Sequence, residues 1–236
     1  MTKKINELSV FFPAYNEELN IEATVYKAVE VLEKFVNKWE ILVVNDGSTD
    51  GTLERANKLA EKDKRIKVIN HEVNRGYGAA FKSGLYKSTY SWIAFTDADG
   101  QFNFSEIANF IEKQKKTGAD IIIGYYKKRQ VSKAKILTSK MWEYLVWIMF
   151  GLKVHDIDCG FKLFSKRVID TLPNLESERG AFISSEFLIK AKMKGFKIVE
   201  IPVTHYPRLE GKGTGRDIKV IINSFKDLFR LWKKLR

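Results

Sequence analysis

Short apolar runs alternate with helix-like stretches through the first half of the chain. Continuous apolar residues predict five strands, at positions 8–14, 40–44, 66–69, 92–95 and 120–124. Apolar positions repeat every three or four residues, or follow capping residues and glycines, in four predicted helices: 18–37, 52–62, a stretch ending at Lys87, and one starting at Ser105. Apolar strands that alternate with helices indicate an α/β fold with a mostly parallel central sheet flanked by helices on both faces.

Polar side chains follow three of these predicted strands directly. Tyr15 and Glu17 follow the first strand, Asp46 ends the second, and Asp97 and Asp99 follow the fourth. The carboxyl ends of parallel strands meet at one edge of a sheet, and ligands bind there. We therefore expect these side chains to lie in one site.

The segment 97–101, Asp-Ala-Asp-Gly-Gln, is the strongest chemical signal in the chain. Asp97 and Asp99 can both turn toward one divalent cation, and Gln101 adds a third oxygen. Mg²⁺ or Mn²⁺ prefers such oxygen ligands and often shares them with substrate phosphates. The cation would neutralise a diphosphate leaving group, although two aspartates at this spacing also occur in ordinary turns.

The charge balance indicates an anionic partner. Among 236 residues, 41 Lys and Arg outnumber 29 Asp and Glu, which gives a formal net charge of +12. Nucleotides, nucleic acids and anionic lipid surfaces are candidate partners, and a solvated basic surface is the alternative explanation. Because no nucleic-acid-binding motif is present, we expect no nucleic acid as a partner.

The expected location is the cytoplasm, with peripheral contact to the cytoplasmic face of a membrane. A single cysteine, Cys159, excludes an internal disulfide framework and fits a reducing compartment. No secretory signal is recognisable, and the longest apolar stretch, 144–152, is about half of the ~20 residues that a bilayer span needs.

Two amphipathic stretches suggest how a membrane would be contacted. Residues 132–150 combine lysines with a Trp- and Met-rich end, and residues 217–236 carry an apolar stripe beside basic positions. Cations beside an aromatic-rich apolar face are typical of interfacial helices. Packing of these stripes on the sheet, or on a membrane-anchoring protein, is the competing interpretation.

Six segments resemble glycosyltransferase family 2, and in particular its dolichol-phosphate-mannose-synthase-like, or polyisoprenyl-phosphate glycosyltransferase, branch. They are residues 12–17, 43–51, 74–78, 97–101, 158–162 and 205–212. The resemblance implies a GT-A nucleotide-diphosphosugar transferase fold over residues 1–216. The residue pattern predicts a basic amphipathic helix after it, over 217–236. In the segment 158–162, Lys162 stands where the branch often has arginine, so a forked phosphate contact is not expected there.

The resemblance also assigns a donor site. Nucleotide-sugar binding would involve Pro13, Tyr15, Glu17, Asp46, Gly76, Asp97, Ala98 and Asp99. The metal ligands would be Asp97, Asp99 and Gln101, which hold Mg²⁺ or Mn²⁺. The donor would be GDP-mannose or a UDP-hexose. The strand ends around Pro13 and Asp46 also have a purely structural interpretation as turns, and the turn containing Gly76 could simply start a helix.

An acceptor site is implied nearer the end of the chain. Three glycines accompany Arg208 and Lys212 in the loop 207–215, which could close over a phosphate. Arg129 is a further candidate ligand. These three residues would bind the phosphate of a dolichyl or undecaprenyl acceptor.

The implied reaction is inverting transfer, with Asp99, Arg208 and Glu186 as candidate catalytic residues. An ionised phosphate acceptor needs no strong base, whereas a saccharide hydroxyl would need one, and Glu186 is the candidate. Glu186 could instead orient Lys162 or Arg208. A nucleotidyltransferase shares the strand pattern and the carboxylates, and a nucleic-acid-binding module without enzymatic activity would explain the charge. Both remain alternatives.

Overall fold

The computed structural model describes residues 5–127, 133–178, 180, 182–207 and 218–235. These residues form a seven-stranded sheet in the order β3-β2-β1-β4-β6-β5-β7. The strands are β1 (Ile5–Ala14), β2 (Val36–Asp46), β3 (Ile66–His71), β4 (Trp92–Thr96), β5 (Ile121–Tyr126), β6 (Phe161–Ser165) and β7 (Ile198–Val203). Every pairing is parallel except those of β6, which runs antiparallel to both β4 and β5.

Helices cover both faces of this sheet. They are α1 (Ile21–Phe35), α2 (Thr52–Lys62), α3 (Tyr77–Lys87), α4 (Ile107–Thr117), α5 (Lys133–Phe150), α6 (Lys166–Thr171), α7 (Phe182–Met193) and α8 (Ile218–Leu235), with a 3₁₀ turn at Phe104–Glu106. Side chains alternate across β1, so Val10 and Phe12 pack under α1 and α4 while Phe11 packs against Phe81 of α3. The predicted α/β fold with a mostly parallel sheet is confirmed.

Local chemistry explains where one helix starts and where another ends. The helix predicted over 52–62 is α2, and the Asp50 carboxylate accepts a hydrogen bond from the backbone N–H of Thr52 at 3.0 Å. This contact satisfies one donor at the start of the helix. Helix α4 ends at Gly118, whose φ of 62° is the left-handed conformation that glycine adopts without strain.

The two amphipathic helices use their apolar residues differently. On α8, Leu228 and Leu231 are buried in the core beside α7, and Phe229 is exposed. Core packing therefore accounts for most of the described part of this stripe. Within the described residues, no helix has both the length and the apolar character of a bilayer span.

Helix α5 is apolar on two sides. Val146 and Phe150 face the core, and Trp142 donates its indole N–H to Ser185 Oγ of α7 at 3.0 Å. The opposite side exposes four large apolar side chains at spacings of four, three and four residues, which form one surface. This surface, the α5 stripe, consists of Leu137, Met141, Tyr144 and Ile148.

Candidate active site

The carboxyl ends of β1 and β2 are tied together by side chains of the loops that follow them. Asn16 has a φ of 56°, and its Oδ1 accepts a hydrogen bond from the backbone N–H of Thr49 at 2.8 Å. The backbone N–H of Glu17 donates to Thr52 Oγ1 at 2.8 Å. Asparagine tolerates the left-handed conformation better than other non-glycine residues, so its presence here is explained by the turn.

Three predicted donor-site residues lie on this pair of loops. Pro13 and Tyr15 are at least partly accessible at the end of β1, and Glu17 is buried. The Glu17 carboxylate accepts a hydrogen bond from Asn20 Nδ2 at 2.8 Å. The structure therefore brings these residues to the predicted sheet edge, with Tyr15 facing solvent and Glu17 engaged in the loop.

Asp46, at the end of β2, is buried and surrounded by hydrogen-bond donors. Its Oδ1 accepts from the backbone N–H of Arg75 at 3.0 Å and lies 2.7 Å from His71 Nδ1, while its Oδ2 accepts from the N–H of Gly76 at 2.8 Å. Gly76, with a φ of 99°, immediately precedes α3. The carboxylate thus fixes the turn from β3 to α3. No sequence motif points to His71.

Asp97, just after β4, lies between two neighbouring elements. Tyr77 of α3 donates its hydroxyl to Asp97 Oδ1 at 3.0 Å. On the other side, a Cβ added to Gly160 would lie 2.2 Å from Asp97 Oδ2, so any larger residue there would displace the carboxylate. Burial, together with the negative charge of Asp99, raises the pKa of Asp97 to about 7.

Asp99 and Gln101 continue this loop. Asp99 Oδ1 accepts from the backbone N–H of Gln101 at 3.1 Å, and the backbone carbonyl of Ala98 accepts from Thr24 Oγ1 at 3.2 Å. Gln101 donates its amide Nε2 to the carbonyl of Tyr206 at 2.9 Å. This contact uses the end of the amide that cannot bind a cation.

The donor set fits a divalent cation shared with a ligand. Asp97 and Asp99 are two carboxylates in one loop, and a bound cation would offset the repulsion that raises the Asp97 pKa. Within the described parts of the chain, no three His, Cys, Asp or Glu side chains are grouped closely enough to hold a metal. Mg²⁺ and Mn²⁺ commonly complete such partial sites with phosphate oxygens and water.

Lys162 is fully buried beneath this loop. Its Nζ donates to the backbone carbonyl of Cys159 and to Ser184 Oγ at 3.5 Å, and it lies 5.6 Å from the centre of the Phe95 ring. Burial lowers its pKa, and the acidic residues nearby, including Asp97, favour its charged form. The lysine therefore lies on the interior side of the carboxylate loop, where burial and the nearby acidic residues have opposite effects on its charged form.

Glu186 has partners other than those predicted from the sequence. Its two oxygens accept backbone N–H groups of Glu176 and Ser177, each at 2.8 Å, and Lys190 Nζ lies 2.6 Å from Oε1. Glu186 and Lys190 are both buried. Its ion-pair partner is thus Lys190 of the same helix, not Lys162. The anchored segment continues to Glu178, whose carbonyl accepts from the N–H of Ala79 at 2.9 Å.

The predicted acceptor residues Arg129, Arg208 and Lys212 lie outside the described residues. The chain leading into the loop 207–215 is described. The N–H of Tyr206 donates to the carbonyl of Gln101 at 2.8 Å, and the ring of His205 lies 4.5 Å from that of Tyr126. The loop therefore begins next to the carboxylates.

A family model identifies the class of protein to which this chain belongs. Residues 9–172 match the family model described as "Glycosyl transferase family 2", which covers more than half of the chain. The chain therefore belongs to glycosyltransferase family 2.

Two curated relatives act in polyisoprenyl-phosphate chemistry according to their names. Dodecaprenyl-phosphate galacturonate synthase of Rhizobium johnstonii is 27% identical over 235 residues, covering 98% of this chain and 69% of the relative. Dolichyl-phosphate beta-glucosyltransferase of Saccharomyces cerevisiae is 31% identical over 221 residues, covering 84% of this chain and 66% of the relative. The chain thus spans about two thirds of each relative's length, and the resemblance to this branch is confirmed.

A solved structure with the same fold is glucosyl-3-phosphoglycerate synthase from Mycobacterium tuberculosis, in complex with Mn²⁺, UDP-glucose and phosphoglyceric acid. The TM-score is 0.67 at 19% sequence identity, and the match covers 98% of this chain and 79% of that one. The likeness confirms the predicted GT-A fold.

Proposed function

We propose that the enzyme transfers a sugar, with inversion, from a nucleotide-diphosphate sugar to a polyisoprenyl phosphate. The observation that carries this proposal is the Asp97–Asp99 loop at the carboxyl end of β4, next to the anchored turn before α3. GDP-mannose or a UDP-hexose is the donor, and dolichyl or undecaprenyl phosphate is the acceptor. The names of the two curated relatives support the acceptor class.

The donor site divides into a nucleoside end and a diphosphate end. In our proposal, Pro13, Tyr15, Glu17 and Asp46 form the nucleoside end. Gly76, Asp97, Ala98, Asp99 and Gln101 form the diphosphate end, where Asp97, Asp99 and Gln101 hold Mg²⁺ or Mn²⁺. The bound cation would neutralise the charge that develops on the departing nucleoside diphosphate.

A phosphate acceptor suits the charges around the site. A phosphate oxygen is ionised at neutral pH and can attack the anomeric carbon without a strong base. Arg208, Lys212 and Arg129 are the proposed phosphate ligands. The loop carrying the first two starts beside Gln101, because the Tyr206 N–H is bonded to the Gln101 carbonyl at 2.8 Å. We propose that the acceptor phosphate is therefore bound close to the donor diphosphate.

The proposal is tested by incubating the purified protein with nucleotide sugars, Mg²⁺ or Mn²⁺, and polyprenyl phosphate. We expect a lipid-linked sugar and a free nucleoside diphosphate. Transfer to a soluble saccharide, with polyprenyl phosphate ignored, would contradict the lipid acceptor. Release of pyrophosphate would instead identify a nucleotidyltransferase.

Replacing Arg208 by Ala should impair transfer to polyprenyl phosphate by about tenfold to a hundredfold, because a charged hydrogen-bond pair is lost. Arg208→Lys should recover part of the rate, since an ammonium lacks the planar fork. The measurement is initial rate against acceptor concentration, together with donor affinity. Equal losses of donor binding and acceptor transfer would assign the loop to the donor site.

We further propose that the α5 stripe lies on the cytoplasmic face of a membrane. Four exposed apolar side chains on one surface are what an interfacial helix buries among lipid headgroups. On α8, basic side chains, including Lys226 and Arg230, flank the exposed Phe229 and suit an anionic surface. The single Cys159, which is buried and free, is consistent with a reducing compartment.

Ile148→Glu should weaken binding to anionic vesicles by about tenfold, because an apolar contact is lost and a like charge is added. Leu19→Glu is the matched control, because Leu19 is exposed just before α1, which packs on the other face of the sheet from α5, and we expect a smaller effect from it. Vesicle flotation measures both. Equal binding by the Ile148 variant and wild type would exclude the α5 stripe as the membrane surface, and a membrane-anchoring protein would become the better candidate for its partner.

A further inference from the structure

A buried histidine connects the last residue of β2 to helix α3. Asp46 and His71 are the final pair in the parallel register of β2 and β3. His71 Nδ1 lies 2.7 Å from Asp46 Oδ1, and its Nε2 lies 2.8 Å from Ser83 Oγ on α3. Both ring nitrogens therefore have a partner, and the imidazole is 8% exposed. An arrangement with both nitrogens engaged has one favoured ring orientation.

This histidine adds to a set of contacts that fixes the turn before α3. Asp46 accepts the N–H groups of Arg75 and Gly76, and Asn74 Nδ2 donates to the Asp46 carbonyl at 3.1 Å. The turn after β2 is also constrained, since a Cβ added to Gly47 would lie 2.3 Å from the backbone nitrogen of Asn74. The two turns are interlocked, and the orientation of the Asp46 carboxylate determines where α3 starts.

The start of α3 leads directly to the diphosphate end of the site. Tyr77 is its first residue, and the Tyr77 hydroxyl donates to Asp97 Oδ1 at 3.0 Å. A shift in Asp46 would therefore move the turn, then Tyr77, and then the support of Asp97. His71 itself is not among the residues proposed to bind the donor. It contacts Asp46 and helix α3, which position those residues.

We infer that His71 is a positioning residue of the donor site, and that its hydrogen bond to Asp46 holds the nucleoside and diphosphate ends in register. The inference rests on the proposed function. Its ligand class is a nucleoside diphosphate with a divalent cation. Because His71 acts through Asp46, its replacement should reduce the affinity for the donor more than it reduces the rate of sugar transfer from bound donor.

Amide side chains can replace the two imidazole nitrogens one at a time. In His71→Asn, the amide nitrogen takes the position of Nδ1 and retains the bond to Asp46. In His71→Gln, the amide takes the position of Nε2 and faces Ser83 instead. His71→Phe removes both contacts, and Ser83→Ala removes only the contact with α3. Asp46→Ala shows the effect of removing the carboxylate itself.

The measurement is calorimetric binding of UDP and of GDP with Mn²⁺, alongside donor KM, kcat and melting temperature. We expect His71→Phe and His71→Gln to weaken binding by about tenfold, approaching Asp46→Ala, because a charged hydrogen bond is lost. His71→Asn and Ser83→Ala should stay within about threefold of wild type, since each retains that bond. For all the His71 variants, kcat at saturating donor should change less than KM.

Three results would overturn the inference. The first is equal nucleotide affinity in all His71 variants and wild type. The second is a His71→Asn variant as weak as His71→Gln, since the bond to Asp46 would then not be the cause. The third is a wild type that binds neither UDP nor GDP, which would also refute the proposed function. If His71→Phe does not fold, the Asn and Gln variants decide.

Discussion

Asp99→Asn is expected to reduce sugar transfer by at least about a hundredfold, on the order of 3 kcal/mol in transition-state stabilisation, while the fold remains intact. The asparagine keeps the size of the side chain and can still accept the backbone N–H of Gln101, which the wild type binds at 3.1 Å. It removes one of the two negative charges that would attract the cation. The loss should therefore appear in Mn²⁺ affinity as well as in rate.

The measurements are initial rate, Mn²⁺ binding in the presence of a nucleoside diphosphate, and melting temperature. Asp63→Asn is a control with the same change of charge, because Asp63 lies before β3 at the opposite edge of the sheet and pairs with Arg65 at 2.7 Å. We expect near-wild-type values from it. Unchanged turnover in Asp99→Asn, with metal still required, would remove this loop from the mechanism.

Lys190→Met is expected to destabilise the protein by about 3–5 kcal/mol, because removal of one partner leaves a buried charge uncompensated. Lys190 Nζ and Glu186 Oε1 are 2.6 Å apart, and each side chain is 2% exposed. Lys190 also donates to the carbonyl of Asn174 at 2.7 Å, so the variant loses a second anchor of the segment 174–178. Urea unfolding measures the change, with Lys192→Met, at an exposed position of the same helix, as the control.

The same pair separates two roles for Glu186. If Glu186 anchors the segment 174–178, Glu186→Met should destabilise the protein even when Lys190 is also replaced by Met, because the backbone N–H groups of Glu176 and Ser177 lose their acceptor. Only the part of the loss that comes from an unpaired buried charge should be regained in the double variant. A general base would behave differently. Its loss would reduce transfer to a hydroxyl acceptor by about 10²–10⁴-fold in every variant lacking Glu186, whatever the stability. Transfer to a phosphate acceptor would then be largely unaffected.

The strands that the sequence predicts are those whose burial is visible in a continuous apolar run. Residues 8–14 and 92–95 form strands because both faces are covered, which favours apolar residues at most positions. The polar exception, Ser9, is buried and donates to Glu40 Oε1 at 2.7 Å. Strand β6 could not be predicted in this way. It contains Lys162, and its antiparallel direction depends on pairing with β4 and β5, to which no local pattern points.

In the site, too, residues with a local signal in the sequence were predictable, and residues whose role depends on distant contacts were not. Asp97 and Asp99 were predictable because they directly follow a strand. Tyr77 and His71 were not, since their roles depend on a reach of 20 residues to Asp97 and 25 residues to Asp46 along the chain. The glycine at 160 belongs to a recognised segment, but the reason for it, contact with the Asp97 carboxylate, requires the neighbouring strand.

The direction of β6 makes the connection over residues 127–160 an exchangeable unit. Strand β5 ends and β6 begins at the same sheet edge, with Ile123 opposite Lys162, so the connection leaves the sheet and returns to it at one place. A replacement of different length could be joined there without altering β4 or its carboxylates, provided that it keeps Cys159 and Gly160, which contact Lys162 and Asp97. A chimera must also keep the contacts of α5 with the core, namely the burial of Val146 and Phe150 and the bond from Trp142 to Ser185 of α7 at 3.0 Å. Grafting connections from relatives therefore tests whether this segment affects the choice of acceptor while the strands that carry Asp46 and Asp97 stay unchanged.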